Sequence, residues 1–305
     1  VARLNRDALV AQLEAQGLHV RMVTVQTEGE YLPTDADWNN KDVPHLNQVH
    51  QWVDNVTFVT DRDLQAQVNL QQVLGIPFPV VLVHYDNAPN EQTHVVTLLA
   101  WTIVTHHEFI PVTATRTRAV TSYSVGSTRF WMLFFPAVRW AIRRNWRQLM
   151  SEDVPMRERR GRLRALGYRF RGDDDEIRDF RASLPIASDN VIPPEDGPAP
   201  EPLGSVRVDA LTGSSWTLLG QTDHLGLKLR REGDEVVAYP RMCPHEGADL
   251  DTTPATDGCL VCPWHGRRLH PVARLDLADD GSTADTRWHR LAIRDGELHV
   301  TYGPP

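Results

Sequence analysis

The chain has 305 residues, 41% of them hydrophobic and 24% charged, with a net charge of −8 at pH 7. This is the balance of a soluble globular protein long enough for two hydrophobic cores. The acidic balance argues against nucleic acid as a partner, and no apolar run approaches the ~20 residues that a membrane-spanning helix needs.

In chain order, Arg6–Gln16 reads as a short helix and His19–Thr27 as a strand. Asp42–Val53 is helix-like, with Pro44 near its start, where a proline is tolerated. Strands are expected at Asn55–Thr60, Leu64–Leu70, Pro79–Tyr85, His94–Thr105 and Thr115–Val125. Two helices follow, Phe130–Met150 with a kink at Pro136, and Val154–Leu166. A composition break comes next: residues 187–204 hold five prolines between Pro193 and Pro202. Proline removes backbone donors and favours extended chain, so this segment is expected to be a semi-rigid spacer of up to roughly 55 Å. Beyond it only short strands are expected, at Ser205–Ala210, Trp216–Leu219, Leu227–Arg231, Glu235–Tyr239, Trp288–Ile293 and Leu298–Tyr302. The expected organisation is an α+β domain over 1–186, a Pro-rich linker over 187–204 and a small all-β domain over 205–305.

All three cysteines lie between positions 243 and 262, which favours metal binding over a secreted disulfide framework. From Cys243 the chain reads CPHEGADLDTTPATDGCLVCPWHG, a Cys-x-His and a Cys-x-x-His separated by sixteen residues. A cluster whose irons are held by two thiolates and two imidazoles needs this ligand set. Gly247 and Gly266 would let backbone N–H groups approach the sulfides, and Pro244 and Pro263 would stiffen the loops. Cys259-x-x-Cys262 is also a zinc-like spacing, but zinc leaves the surrounding CPH and CPWHG context unexplained.

A second group lies at Asn39–His50, NNKDVPHLNQVH, read as Asn-x-x-Asp-x-x-His-x4-His. Two histidines and a carboxylate with open positions suit a non-haem Fe(II) that binds O2. On a regular helix the two imidazoles would diverge by ~140°, so the helix is expected to widen or bend there, as at a π-bulge. Downstream, Ser151–Arg159 reads SEDVPMRER; alone, Asp153 would read as a helix cap.

The cysteine and histidine loops resemble the Rieske signature. Together with the Asp-x-x-His-x4-His and Glu-Asp-x4-Glu patterns, they resemble the Rieske non-haem iron oxygenases of the ring-hydroxylating type, in the monooxygenase-like branch. The resemblance implies a [2Fe-2S] cluster on Cys243, His245, Cys262 and His265, and a mononuclear Fe(II) on His45, His50 and Asp153. It makes Asp42 the carboxylate connecting a cluster histidine to an iron histidine. Asn39 matches the asparagine three residues before it, and Glu158 the trailing glutamate. The fold implied is a helix-grip-like antiparallel sheet with helices, followed by a small all-β Rieske domain, in reverse of the family's usual domain order. Ala248 and Trp264 stand where the proton-pumping branch has its disulfide cysteines.

The activity implied is O2-dependent hydroxylation, demethylation or desaturation of a mostly apolar small molecule by a homotrimer. No GxGxxG follows a strand, so electrons are expected from a separate reductase or ferredoxin. The first thirty residues hold no signal-peptide core, and a cytoplasmic location is expected. The alternative reading is a Rieske electron-transfer protein fused to a non-catalytic helix-grip binding domain. The aromatic segment Phe130–Trp146 is expected in a core or lining an apolar cavity rather than at a membrane surface. The arginines at 157, 159, 160, 162 and 164 read as a solvated helix face, or as a docking patch for an acidic redox partner. His84, His106 and His107 read as structural.

Overall fold

A computed structural model describes residues 5–50, 52–61, 64–73, 76–171, 186–194 and 202–302. The chain divides into two compact units, Val1–Arg162 with Arg171–Ile186, and Leu163–Phe170 with Ala187–Pro305. Of the Pro-rich segment, 195–201 lies outside the described residues.

In the first unit, α1 (Arg6–Ala15) is capped by Asn5, whose side chain accepts from the Ala8 N–H at 2.8 Å. There follow β1 (His19–Gly29), α2 (Pro33–Lys41), a 3-10 turn (Val43–His45) and the single-turn α3 (Leu46–Val49). Six strands come next: β2 (Val53–Asp61), β3 (Leu64–Val73), β4 (Ile76–Ala88), β5 (Glu91–Leu98), β6 (Trp101–Pro111) and β7 (Thr117–Ser127). They form one antiparallel sheet in the order β1-β7-β6-β5-β4-β3-β2, and α4 (Phe135–Ala165) completes a helix-grip-like layer.

Three expected elements need correction. Over Asp42–Val53 the expected helix is only the 3-10 turn and the one-turn α3, and the longer helix, α2, lies before it. Its sequence, PTDADWNNK, has no apolar stripe; it starts at Pro33, and the Asp35 carboxylate accepts from the Leu32 N–H at 3.1 Å. The single strand expected over His94–Thr105 is two strands joined by a turn at Leu99, a non-glycine residue with φ 53°. No Gly or Asn announces that turn. The two expected helices are one: α4 runs through Pro155, giving up one backbone hydrogen bond, with Phe135, Val138, Ile142 and Val154 before the proline packed in apolar clusters.

Residues opposite each other in an antiparallel pair share a face. At one end of the inner face, Val23, Ile103, Tyr123 and Val125 pack against Met132, Phe135, Val138 and Ile142. At the other, Phe109 and Ala119 meet Tyr31, Ala36 and Val154. α4 passes so close to the segment before α2 that a Cβ on Gly161 would lie 2.3 Å from the Glu30 carbonyl oxygen. The aromatic segment is only partly core: Met132 and Phe135 are buried, whereas Phe130, Trp131, Leu133, Phe134 and Trp140 are exposed.

In the second unit, β8 (Arg169–Phe170) pairs with β9 (Val191–Ile192). There follow β10 (Pro202–Arg207), β11 (Thr217–Leu219), β12 (Leu227–Glu232), β13 (Glu235–Pro240), β14 (Ala255–Thr256) and β15 (Cys259–Val261). The remaining strands are β16 (Arg268–Leu269), β17 (Ala273–Asp276), β18 (Thr283–Asp285), β19 (His289–Arg294) and β20 (Glu297–Tyr302). Two four-stranded sheets, β10-β20-β19-β18 and β11-β12-β13-β17, enclose Leu227, Leu229, Val236, Ala238, Leu291, Ile293 and Val300. The alternate residues of β13, Val237 and Tyr239, turn to a second core with Leu250, Leu260, Cys243 and Cys262. β13 is therefore buried on both faces, and its apolar run needs no polar alternation. Among the described residues, no helix is long and apolar enough to cross a membrane.

Candidate metal centres

In the first unit the candidate site begins where α2 ends. Asp42 leaves helical geometry at ψ 74°, the 3-10 turn follows, and α3 lasts one turn before His50 turns extended at φ −97°, ψ 100°. This broken backbone, not a π-bulge, offsets the ~140° divergence expected of a regular helix. The His45 and His50 ring centroids lie 5.2 Å apart.

Asp153 of α4 completes the group. Its Oδ1 is 3.6 Å from His45 Nε2 and 3.4 Å from His50 Nε2, and the ligand atoms of all three residues lie within 4.8 Å of one another. All three residues are buried, and these atoms make no hydrogen bond. Buried polar atoms that converge without partners carry a desolvation cost that a metal ion would remove.

A carboxylate lies behind each far nitrogen, close enough to hydrogen-bond only at His50. His50 Nδ1 is 2.6 Å from Glu152 Oε2, and His45 Nδ1 is 3.7 Å from Asp42 Oδ2. A proton on each Nδ1 leaves the Nε2 lone pair facing inward, the usual arrangement of metal-binding imidazoles. Burial alone would discourage charge on His45, but Asp153 and Asp42 outweigh it and lift its pKa to about 9. Burial likewise opposes ionisation of Asp153, yet His45, His50 and Arg157 hold it well below the usual carboxylate range. A field that favours a positive ring at this point also favours a cation.

Arg157 sets the rest of the frame. Its Nη2 is 3.6 Å from Asp153 Oδ2, and its Nε donates to Asn39 Oδ1 at 2.7 Å. Asn39 thus stands behind the triad, tied to it through Arg157. Arg157, Arg159 and Arg160 are buried, which overturns the solvated-face and docking-patch readings for those three. Glu158 stands away from the triad, with Oε1 3.4 Å from the Glu30 N–H. Glu152 and Arg157 were not singled out as site residues in the sequence; the only cue to Glu152 was its place before Asp153.

In the second unit, two loops project from the buried end of β13 and from β15. The loops match in backbone: Gly247 N–H donates to Cys243 O and Gly266 N–H to Cys262 O, both at 2.9 Å. Both glycines have positive φ, 84° and 66°, which completes each tight turn. Cys243, His245, Cys262 and His265 are buried together, with the two histidine Nδ1 atoms 3.1 Å apart. The two cysteine thiols interact, and the contact with Cys243, with help from His265, lowers the Cys262 thiol. Two sulfurs and two facing imidazoles, all buried, fit a cluster with two thiolate and two imidazole ligands. Cys259, on β15, is a buried strand residue whose Sγ lies 3.3 Å from His270 Nδ1.

The loops are braced from below and above. Lys228 Nζ donates to the carbonyls of Leu250, Asp251 and Thr253 at 2.8, 3.2 and 2.7 Å, and Arg241 binds Asp251. Residues 188–191, expected to belong to the exposed spacer, reach both loops. The Asn190 and Val191 N–H groups donate to Pro244 O, Asn190 Nδ2 donates to Glu246, and Arg267 binds Ser188 O and Asp189.

The family described as Rieske [2Fe-2S] domain matches residues 212–280. No curated protein matches the chain. Among solved structures, the protein TTHA0849 from Thermus thermophilus is 14% identical with a TM-score of 0.39, over 44% of this chain and 95% of that one. A START superfamily protein from Mycobacterium smegmatis is 12% identical with a TM-score of 0.39, over 45% and 97%. The di-domain aromatase/cyclase StfQ of the steffimycin pathway is 12% identical with a TM-score of 0.42, over 52% and 56%. With both ligand loops inside the matched span, residues 212–280 are a Rieske [2Fe-2S] domain, an electron-transfer module.

Proposed function

We propose that the chain is a Rieske-type oxygenase, in which the second unit feeds electrons to a mononuclear Fe(II) in the first to oxidise a small molecule with O2. What carries the reading is the convergence of His45 Nε2, His50 Nε2 and Asp153 Oδ1, buried and without hydrogen bonds. Two imidazoles and one carboxylate are the ligand set of non-haem iron sites that react with O2. When bound, the cluster would supply single electrons and the mononuclear iron the O2 chemistry.

The protein's own residues would do the following. His45, His50 and Asp153 hold the metal, and Cys243, His245, Cys262 and His265 hold the cluster. Glu152 fixes the ring orientation of His50 and keeps the proton on its Nδ1, and Asp42 places a negative charge behind His45. Arg157 holds the second oxygen of Asp153, so one carboxylate oxygen faces the metal. Burial of the whole group keeps bulk water out. Asp42, as the resemblance implies, would connect the two centres. A separate reductase or ferredoxin would supply the electrons.

Asp153→Ala and Asp42→Ala test the assignment. Asp153→Ala should lose the mononuclear metal and keep the visible spectrum of the cluster. Asp42→Ala should keep both metals and lose substrate-dependent O2 uptake. An Asp153→Ala protein that binds Fe(II) like the parent chain would contradict the assignment.

A further inference from the structure

We propose that the molecule oxidised in the first unit is a neutral small molecule bearing several hydroxyl or amide groups. It would be held along the inner face of the sheet by Gln65, Gln67, Asn69 and His94. This rests on the oxygenase reading for the fate of the molecule; its binding does not.

Gln65, Gln67 and Asn69 alternate along β3 and so point to one face, at steps of roughly 6.6 Å. Gln65 stands opposite His84, His84 opposite His94, and His94 opposite Thr105, so the same face continues across β4, β5 and β6. Gln92, paired with His107, belongs to it too. The His84, His94 and His107 rings lie in contact but tilted, with successive centroids 3.7 and 4.5 Å apart at interplanar angles of 51° and 45°. This is the face that the apolar ends of the sheet share with α4; between those ends Val80, Leu82 and Val96 share it with the amides of β3 and the histidines.

Some of these groups are satisfied within the protein. His84 Nε2 meets Gln92 Oε1 at 3.0 Å, Gln92 Nε2 donates to Asp37 Oδ1 at 2.6 Å, and Gln65 Nε2 donates to Lys41 O at 3.2 Å. Others are not: Gln65 Oε1, Gln67 Oε1, Asn69 Oδ1 and His94 Nε2 are buried and accept or donate nothing. Each such atom is left without a partner against an apolar ligand, a cost that a hydroxyl or amide removes. Carboxamides present a donor and an acceptor, and hydroxyl groups match both. The row starts at Lys41, next to Asp42, so it leads away from the triad's own segment.

The charge of the ligand follows from the ions nearby. Lys41 is paired with Asp37 and Asp86 at 2.9 and 2.8 Å, and Arg157 with Asp153, which leaves neither cation committed to an anionic ligand. Burial pushes the pKa of His94 down to about 3 and those of His84 and His107 well below the usual range, so the histidines are neutral. The mostly apolar substrate that the resemblance implies would leave these buried atoms unsatisfied.

Calorimetric titration of the full chain, with and without mononuclear iron, tests the proposal using toluene, 4-methylphenol and 3,5-dihydroxytoluene as probes. Affinity should rise with each hydroxyl, to at least about tenfold between toluene and the diol. Gln67→Leu and Asn69→Leu, which replace an amide whose buried oxygen is unpaired by an apolar group of similar size, should each erase most of that preference. Their melting transitions show that they remain folded. Toluene binding as tightly as the diol, or no binding by any of the three because water alone satisfies the face, overturns the proposal. Absence of mononuclear iron would remove the oxygenase reading and leave the titration result standing.

Discussion

Glu152 offers a sharp test of the first-unit site because it touches only the back of a ligand. Its Oε2 lies 2.6 Å from His50 Nδ1, on the side of the ring opposite the Nε2 that faces Asp153. Replacing Glu152 by Gln keeps a hydrogen-bond acceptor of the same shape and removes the charge. Loss of such a partner behind a metal-bound histidine typically weakens metal affinity 10–100-fold, or ~1.4–2.7 kcal/mol. The Glu152 side chain is 23% exposed, so water screens part of its field and the lower end, about tenfold, is expected. The assay is an anaerobic titration with Fe(II), the cluster spectrum serving as an internal control for the second unit. An affinity within twofold of the parent chain, or a loss as complete as that of Asp153→Ala, would refute the assignment of Glu152 as a partner acting through His50.

Two further predictions concern stability. Asp35 and Arg160 are both fully buried and 3.1 Å apart, and Asp35 also accepts from the Leu32 N–H at the start of α2. Asp35→Ala should therefore cost about 3–5 kcal/mol in urea unfolding, and a loss below ~1 kcal/mol would contradict the pairing. His289 is buried, and that burial lowers its pKa to about 4 from the ordinary 6.5, against a bond to Leu225 O that works the other way. Below 6.5 the unfolded chain binds the proton first, so stability is complete above pH 6.5 and falls progressively toward pH 4, by ~3 kcal/mol in all. Buried His84, His94 and His107 add to the fall, so unfolding curves between pH 7 and 4 should be steeper than this alone, and His289→Gln should remove the His289 share. An unchanged slope in the variant would assign the pH dependence to other groups.

The two sites differ in how far the sequence alone could reveal them. The cluster ligands lie on two loops of five residues each, so every feature that builds the loops is local: cysteine, proline, histidine and a glycine with positive φ. The triad is local only in part. His45 and His50 sit in one short segment, but the backbone that brings them together is a 3-10 turn feeding one helical turn, too short for any periodic signal. Asp153 is joined to them only by folding. Arg157 looked like one of a run of surface cations because a sequence shows charge and not the carboxylates and amides that come to surround it.

The same reason hid α2. Beside Ala36 and Trp38, the buried side chains of this helix are Asp35, Asp37, Asn39 and Lys41, so it has no apolar stripe, and ion pairs to the sheet and to α4 hold its polar members. The strands of the second unit from β14 to β18 are two to four residues long, below the length at which alternation can be read. The longer elements do leave a pattern in the chain, six strand-like runs for the seven strands, with β5 and β6 merged, and two helical runs for the single α4. The sheet layer was therefore legible, while the polar character of its inner face emerged only with the register of β3 to β6.

The most direct test of the central claim is the iron and acid-labile sulfide content of the full chain purified without oxygen. The account predicts three irons and two sulfides per chain, two irons in the cluster and one at His45, His50 and Asp153. Two irons and two sulfides, unchanged after reconstitution with Fe(II), would contradict it and leave an electron-transfer protein with a ligand-binding domain.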